Sequence, residues 1–248
     1  MEKQFELLYH DLERNHWWFN SRRKQVIAMA EPRKGEKILD VGCASGLLLE
    51  DLTSFGMSEE QLNGIDVSEE AIQKCHQKGF KNTWVMDGAD IKLPTNSFDL
   101  LIASDCLEHI ENDVKALNNW YSLLKKGGRI VVFVPAFMSL WSPHDEVNYH
   151  YRRYTNKELV EKAKKAGFKI QRKGYWNFFL FLPIWMVRKI KNLAGGEKLS
   201  PEEMDSDLKP APAPVNAILK LILGIEKYLL KVMDLPVGVS TYFVATKE

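Results

Sequence analysis

Three aspartates that follow short apolar runs, two of them beside glycine-containing turns, are the residues of this chain whose types and spacing suit ligand chemistry. Ile38-Leu39-Asp40-Val41-Gly42-Cys43-Ala44-Ser45-Gly46 reads as a strand running into a turn and then a helix. Glycine at 42 and 46 lets the backbone approach a ligand closely, and the following helix aims unpaired amide donors at a carboxylate. Gly64-Ile65-Asp66-Val67-Ser68 ends a second strand twenty residues beyond Gly46, where a carboxylate can accept both hydroxyls of a ribose. Met86-Asp87-Gly88-Ala89 ends a third, with Asp87 placed to accept from an adenine amino group. The candidate cofactor contacts are therefore Asp40, Gly42, Ala44, Gly46, Asp66, Val67, Asp87 and Gly88, with Ser104 at the end of a fourth strand.

The sign of charge selects the ligand. A nicotinamide dinucleotide turn reads G-x-G-x-x-G, whereas here the spacing is G-x-x-x-G with Ala44 between, and Asp40 stands just before the turn. A carboxylate there repels a pyrophosphate and attracts a ligand that carries an ammonium and a sulfonium. S-adenosylmethionine is the cofactor that fits. A nicotinamide-dependent oxidoreductase and a non-catalytic binding or scaffolding protein of the same fold are the alternatives.

Two loops would face that ligand. Ser104-Asp105-Cys106-Leu107-Glu108-His109 follows the fourth strand, and Trp141 to Tyr154 follows the fifth. The second loop gathers His144, His150, Asp145, Tyr149, Tyr151, Tyr154, Arg152 and Arg153 within fourteen residues. Methyl transfer requires an acceptor held in line with the sulfonium and, for many acceptors, a base for its proton. His144, His150 and His109 are the candidate bases. Arg152 and Arg153 could hold a carboxylate or phosphate of the acceptor, and Tyr149, Tyr154 and Trp18 could line it. The competing reading is a solvated loop whose arginines pair with its own acids.

The elements that must position these residues alternate. Strands are expected at 37–41, 62–66, 83–86, 98–103, 129–134, 168–175 and 239–246, with helices at 46–55, 68–78, 113–124 and from a capping box at Thr155 to Gly167. This pattern predicts a Rossmann-like, doubly wound α/β sheet. Residues 2–31 read as helix, and residues 1–35 as a lid carrying His16-Trp17-Trp18-Phe19. Residues 36–176 with 237–248 would form the cofactor domain, and 177–236 an apolar helical insertion before the last strand.

The stretch from about Lys37 to Val134 resembles the class I S-adenosylmethionine-dependent methyltransferases, near the ubiquinone- and menaquinone-pathway and sugar methyltransferases. Asp40–Gly46, Gly64-Ile65-Asp66, Leu93-Pro94 with Ser97-Phe98-Asp99, Leu107-Glu108-His109 and Leu124 to Gly128 carry the likeness. It implies seven strands with the last, Val239–Thr246, antiparallel. Asp105, Glu108 and His109 resemble the acidic metal triad of the ubiquinone-pathway O-methyltransferases, which implies a divalent metal as an alternative role for that loop. His16–Phe19 and His150–Tyr154 together resemble a group of bacterial methyltransferases.

Composition narrows the partners. Thirty-four basic and 33 acidic residues leave a net charge of +1, which argues against a broad nucleic-acid surface and for a small-molecule or lipid-linked acceptor. Cys43, Cys75 and Cys106 form no metal or redox spacing and read as free thiols of a reducing cytoplasm. The charged start of the chain does not read as a secretory signal, and no apolar run reaches the ~20 residues of a membrane span. Residues 177–192 are strongly apolar and then basic, 195–214 polar and proline-rich, and 215–233 amphipathic with Lys220, Lys227 and Lys231. That composition suits a peripheral contact with the inner face of a membrane, a lid, or a homodimer interface.

Overall fold

The computed structural model describes residues 13–193 and 211–248. A helix α1 (Trp17–Ala30) precedes the sheet. Then follow β1 (Ile38–Val41), α2 (Leu47–Ser54), β2 (Leu62–Asp66), α3 (Glu69–Gln77), β3 (Thr83–Val85) and β4 (Phe98–Ser104). Next come α4 (Asp113–Leu123), β5 (Leu124–Pro135), the short α5 (Pro143–Val147), α6 (Asn156–Lys165) and β6 (Lys169–Trp176). The described chain closes with α7 (Phe181–Leu193), α8 (Ala213–Leu229) and β7 (Ser240–Thr246).

The seven strands form one sheet in the order β3-β2-β1-β4-β5-β7-β6. Strands β1 to β5 pair in parallel, and β7 runs antiparallel between β5 and β6. The central strands are buried on both faces, so they read as unbroken apolar runs such as Ile38–Val41 and Leu100–Ala103. One face packs Trp120, Leu159 and Phe168 from the α4 and α6 side against Phe243. The other packs Val26, Ile27, Leu49 and Leu223 against Phe133 and Trp176. Strand order reverses between β1 and β4, the place where ligands bind beyond the carboxyl ends of strands in such sheets.

Several boundaries differ from the sequence expectation. The expected helix over residues 2–31 is interrupted: the chain turns at Arg14 and Asn15, and the His16 side chain accepts from the Trp18 amide to start α1 afresh. Residues 2–12 of that expectation lie outside the described residues. Residues 17–30 are an integral layer of the core, since Val26, Ile27 and Ala30 pack with Leu49 and Phe133. The fifth strand begins at Leu124 rather than 129, carrying Gly127-Gly128 within it. Helix α7 begins at Phe181, after Asn177 takes a positive φ of 66° at the end of β6. Most of the expected linker at 195–214 lies outside the described residues, and Ala213 and Pro214 already belong to α8. Among the described residues, no helix is long and apolar enough to cross a membrane.

Candidate active site

The turn after β1 is built so that only small residues fit. Gly42 and Gly46 have φ of 78° and 77°. A Cβ at Gly42 would stand 3.1 Å from the Cys106 Cβ, and one at Gly46 2.9 Å from the Cys75 Sγ. Both positions therefore exclude a side chain on conformational and steric grounds. Ala44 also takes a positive φ, 45°, the place where the related glycine turns carry their middle glycine. The amides of Gly42 and Cys43 both donate to the Ile65 carbonyl at 2.9 Å, which ties the turn to the end of β2.

Three carboxylates converge on this turn. Asp66 accepts from the Ala44 amide at 2.9 Å and the Ser68 amide at 3.0 Å, which fixes its orientation. Asp87 accepts from the Ala89 amide at 2.8 Å. Asp40 is buried, and burial together with Asp66 and Glu13 pushes its carboxyl up to about 8. A buried acid under like-charge pressure is a site that a ligand cation relieves. The donor set therefore fits S-adenosylmethionine: a cation beside Asp40, a ribose at Asp66, an adenine toward Asp87. Asp40, Gly42, Ala44, Asp66, Val67, Asp87, Gly88 and Ser104 all line one cavity. Gly46 does not border it; the fold needs that glycine for the entry to α2 and for contact with Cys75.

The cavity measures about 1030 Å³ and continues past the cofactor end to Trp18, His109, His144, Tyr149, His150 and Arg153. That is the upper end of the roughly 300–1,000 Å³ of small-molecule sites, so it accommodates a nucleoside and a second molecule. Its far wall is organised by Asp145. Ser142 and Asp145 form a capping box that starts α5, with Asp145 accepting from the Ser142 amide at 2.9 Å. The same fully buried carboxylate accepts from His150 Nδ1 at 2.8 Å and Arg153 Nε at 2.7 Å. Burial alone would raise its pKa; the His150 hydrogen bond and the Arg153 charge outweigh that and hold it well below the usual carboxylate range. Asp145 is thus ionised and can only accept at this contact, so His150 carries a proton on Nδ1.

The His150 ring lies edge-to-face with His109 at 4.5 Å and with His144 at 6.2 Å between centroids. Burial and the neighbouring His150 lower His109 to about 4, so His109 is neutral at pH 7. Glu108 is fully buried, and among the described residues neither of its side-chain oxygens has a hydrogen-bond partner. Burial and Asp105 raise its pKa well above the carboxylate range, so it stands as a neutral acid.

Some expected residues are turned elsewhere. Arg152 donates to Asp113 at 2.9 Å and to the Glu111 carbonyl at 2.7 Å, and Tyr154 is buried with its hydroxyl on Asp113 at 2.9 Å. Neither lines the cavity, because Asp113, nearly buried at the start of α4, gathers both together with Lys162. Arg153 does line it, with its Nε committed to Asp145. Asp105 is held by Arg22, with Nε to Oδ2 at 2.9 Å, and so does not join the triad expected with Glu108 and His109. The donors that do converge are Glu108, His109 and His150, with one ligand atom of each within 4.8 Å of the others.

Two residues of the site escape a reading by motif. Arg22 is 3% exposed, stacks on Trp18, Phe133 and Trp176 with its guanidinium 4.7–5.1 Å from the ring centroids, and lines the cavity. Its only sequence signal is an arginine one turn after Trp18 and one turn before Val26. Asp145 carries a signal in Ser142-Pro143-His144-Asp145, whose spacing is a capping box.

A profile of the methyltransferase domain family matches residues 39–132, the span from β1 into β5. Aklanonic acid methyltransferase DauC of Streptomyces sp. (strain C5) is 31% identical over 126 residues, 48% of this chain and 57% of the relative. Demethylmenaquinone methyltransferase of Tropheryma whipplei (strain Twist) is 32% identical over 156 residues, 62% of this chain and 60% of the relative. The chain thus spans less than two thirds of the length of either. A solved S-adenosylmethionine-dependent methyltransferase from Archaeoglobus fulgidus shares the fold with a TM-score of 0.60 at 19% identity, covering 99% of this chain and 100% of that one. Sheet order, acidic turn and the sequence matches over residues 39–132 are similar to those of the class I S-adenosylmethionine-dependent methyltransferases.

Proposed function

We propose that the protein transfers a methyl group to an oxygen or nitrogen of a small-molecule or lipid-linked acceptor, with His150 as the base. The observation that carries this reading is the single cavity that joins the acidic turn at Asp40 and Asp66 to the Asp145–His150 pair. S-adenosylmethionine supplies, when bound, a methyl carbon whose bond to a positively charged sulfur is readily broken. The turn at Gly42–Gly46 and Asp66 orient the cofactor, and Asp40 answers its cation. The acceptor proton passes to His150 Nε2 as the acceptor lone pair forms the new bond to carbon. Asp145 then balances the imidazolium charge. Once its methyl were given up, the cofactor would carry one positive charge fewer for Asp40 and Asp66 to attract, which would favour product release.

The names of the relatives, which act on aklanonic acid and demethylmenaquinone, support a non-macromolecular acceptor, and the net charge of +1 supports no nucleic-acid role. Free thiols at Cys43, Cys75 and Cys106 support a cytoplasmic site of action. Methyl transfer to a panel of phenols, amines and lipid-linked hydroxyls tests the reading. Turnover lost in His150→Ala with cofactor binding intact supports it; tight binding of cofactor with no turnover on any acceptor favours a binding protein.

The convergence of Glu108, His109 and His150 favours a second role for that wall, a divalent cation held by one carboxylate and two imidazoles. Asp145 on the far ring nitrogen of His150 is the support such a ligand usually has. Zinc and manganese titrations monitored by calorimetry decide it: binding lost in Glu108→Gln and His109→Ala supports a metal, and no heat in the wild type removes it.

A further inference from the structure

We infer that helices α7 and α8 dock the protein on an anionic bilayer, with the rim of the cavity at that surface. This goes beyond the methyl-transfer reading and does not depend on it. Helix α7 exposes Leu182, Met186 and Ile190, four residues apart and hence one stripe, with Ile190 63% exposed. Helix α8 exposes Val215, Ile218, Leu221, Ile225 and Tyr228 at helical spacing, with Leu221 65% exposed, and Val232 continues the row. The stripe on α8 cannot roll inward, because its opposite face is fixed. Leu223, Glu226 and Leu230 are buried, and Glu226 accepts from the amides of Asn177 and Phe178. Nor is α8 a loose appendage, since the Asn216 side chain accepts from the Trp17 amide at 2.7 Å.

Charge identifies the occupant. The sequence of α7 contains no acidic residue, and the one acid of α8, Glu226, is buried. Lys189 lies 5.9 Å over Trp185, and Lys227 and Lys231 lie 5.4 and 5.3 Å over Tyr228. Apolar stripes bordered by aromatics and lysines match the acyl–headgroup boundary of a membrane with anionic lipids. A dimer through α8 would bring Lys220, Lys227 and Lys231 of one copy toward those of the other, which opposes it. Thirteen residues of α7 are too few to span the hydrocarbon core, so the helix lies in the interface.

The placement also concerns the site. Pro183 and Val187 are exposed and line the cavity, so α7 forms its rim. Arg188 donates to the Leu140 carbonyl, and Phe181 packs edge-to-face on Phe137, which ties α7 to the loop after β5. A bilayer beneath α7 therefore reaches the mouth through which an acceptor would enter.

Flotation of the full chain with vesicles of phosphatidylcholine, alone or mixed with phosphatidylglycerol, tests this. The wild type is expected to float with the mixed vesicles and poorly with the neutral ones. Leu221→Glu with Ile225→Glu, and separately Met186→Glu with Ile190→Glu, should remain at the bottom of the gradient. Lys227→Ala with Lys231→Ala should bind the mixed vesicles more weakly, by about fivefold for each cation removed. Retained heat with S-adenosylmethionine and an unchanged melting temperature certify that each variant folds, and the lysine pair keeps the test open if an apolar pair does not. Absence of wild-type flotation, flotation unchanged in variants that fold, or a wild-type dimer that the apolar variants convert to monomer would overturn the inference. Flotation without any heat from S-adenosylmethionine would leave the docking standing and sink the methyl-transfer reading.

Discussion

At the scale of the residue, the account turns on two carboxylates pushed in opposite directions. Asp40 is buried near Asp66 and Glu13 and is raised to about 8, whereas Asp145 is held low by His150 and Arg153. For Asp40 the unfolded chain loses its proton first, near the ordinary ~3.9, and the folded chain last. Its contribution therefore makes the ligand-free protein less stable as pH rises from about 4 to about 8, and the effect is complete above 8. Asp40→Asn should flatten that slope and raise the melting temperature at pH 8 by about 2 °C or more, while weakening S-adenosylmethionine at least tenfold. A melting series against pH, with and without cofactor, checks both signs. The ionised Asp145 acts through His150. Asp145→Asn should remove the charge that balances a His150 imidazolium and lower turnover by roughly 10²- to 10⁴-fold with cofactor affinity unchanged. Single-turnover kinetics beside cofactor titration separates the two.

At the scale of the element, the sheet was legible in the sequence because its central strands are covered on both faces. Ile38–Val41 and Leu100–Ala103 read as apolar runs, and the turn glycines announce where β1 hands over to α2. The start of α1 was not legible, because a histidine supplies its cap in place of the usual serine, threonine or aspartate. His16→Ala should cost about 1 kcal/mol of stability, read by urea denaturation. Gly238 marks the other end of the same constraint. A Cβ there would overlap the Trp176 carbonyl and crowd its backbone nitrogen, between β6 and β7. Gly238→Ala should cost roughly 1–3 kcal/mol, and a neutral result would mean that the segment entering β7 relaxes freely.

At the scale of the whole molecule, the cofactor end of the site was readable because it is local: Asp40, Asp66 and Asp87 each follow their own strand. The acceptor end was readable only as a collection of residue types. Arg152 and Tyr154 sit in the same short loop as His150, yet packing turns them to Asp113 on α4. Arg22 closes on Asp105 across 83 residues of chain, a pairing set by tertiary packing alone. That pair also takes Asp105 from the expected metal triad and leaves the convergence to His150. Such long-range commitments carry no periodicity and so no signal in a single sequence.

The claim on which the rest depends is that acidic side chains at consecutive strand ends make a pocket for a sulfonium nucleoside. Isothermal titration calorimetry of the purified chain with S-adenosylmethionine and with NAD, beside Asp66→Ala, tests it most directly. The account predicts saturable heat with S-adenosylmethionine at pH 7 and none of comparable affinity with NAD. The heat should vary with buffer ionisation enthalpy, because Asp40 releases a proton as the cation binds. Asp66→Ala should weaken S-adenosylmethionine by at least tenfold. Preferential binding of NAD, or an unchanged affinity in Asp66→Ala, would contradict it.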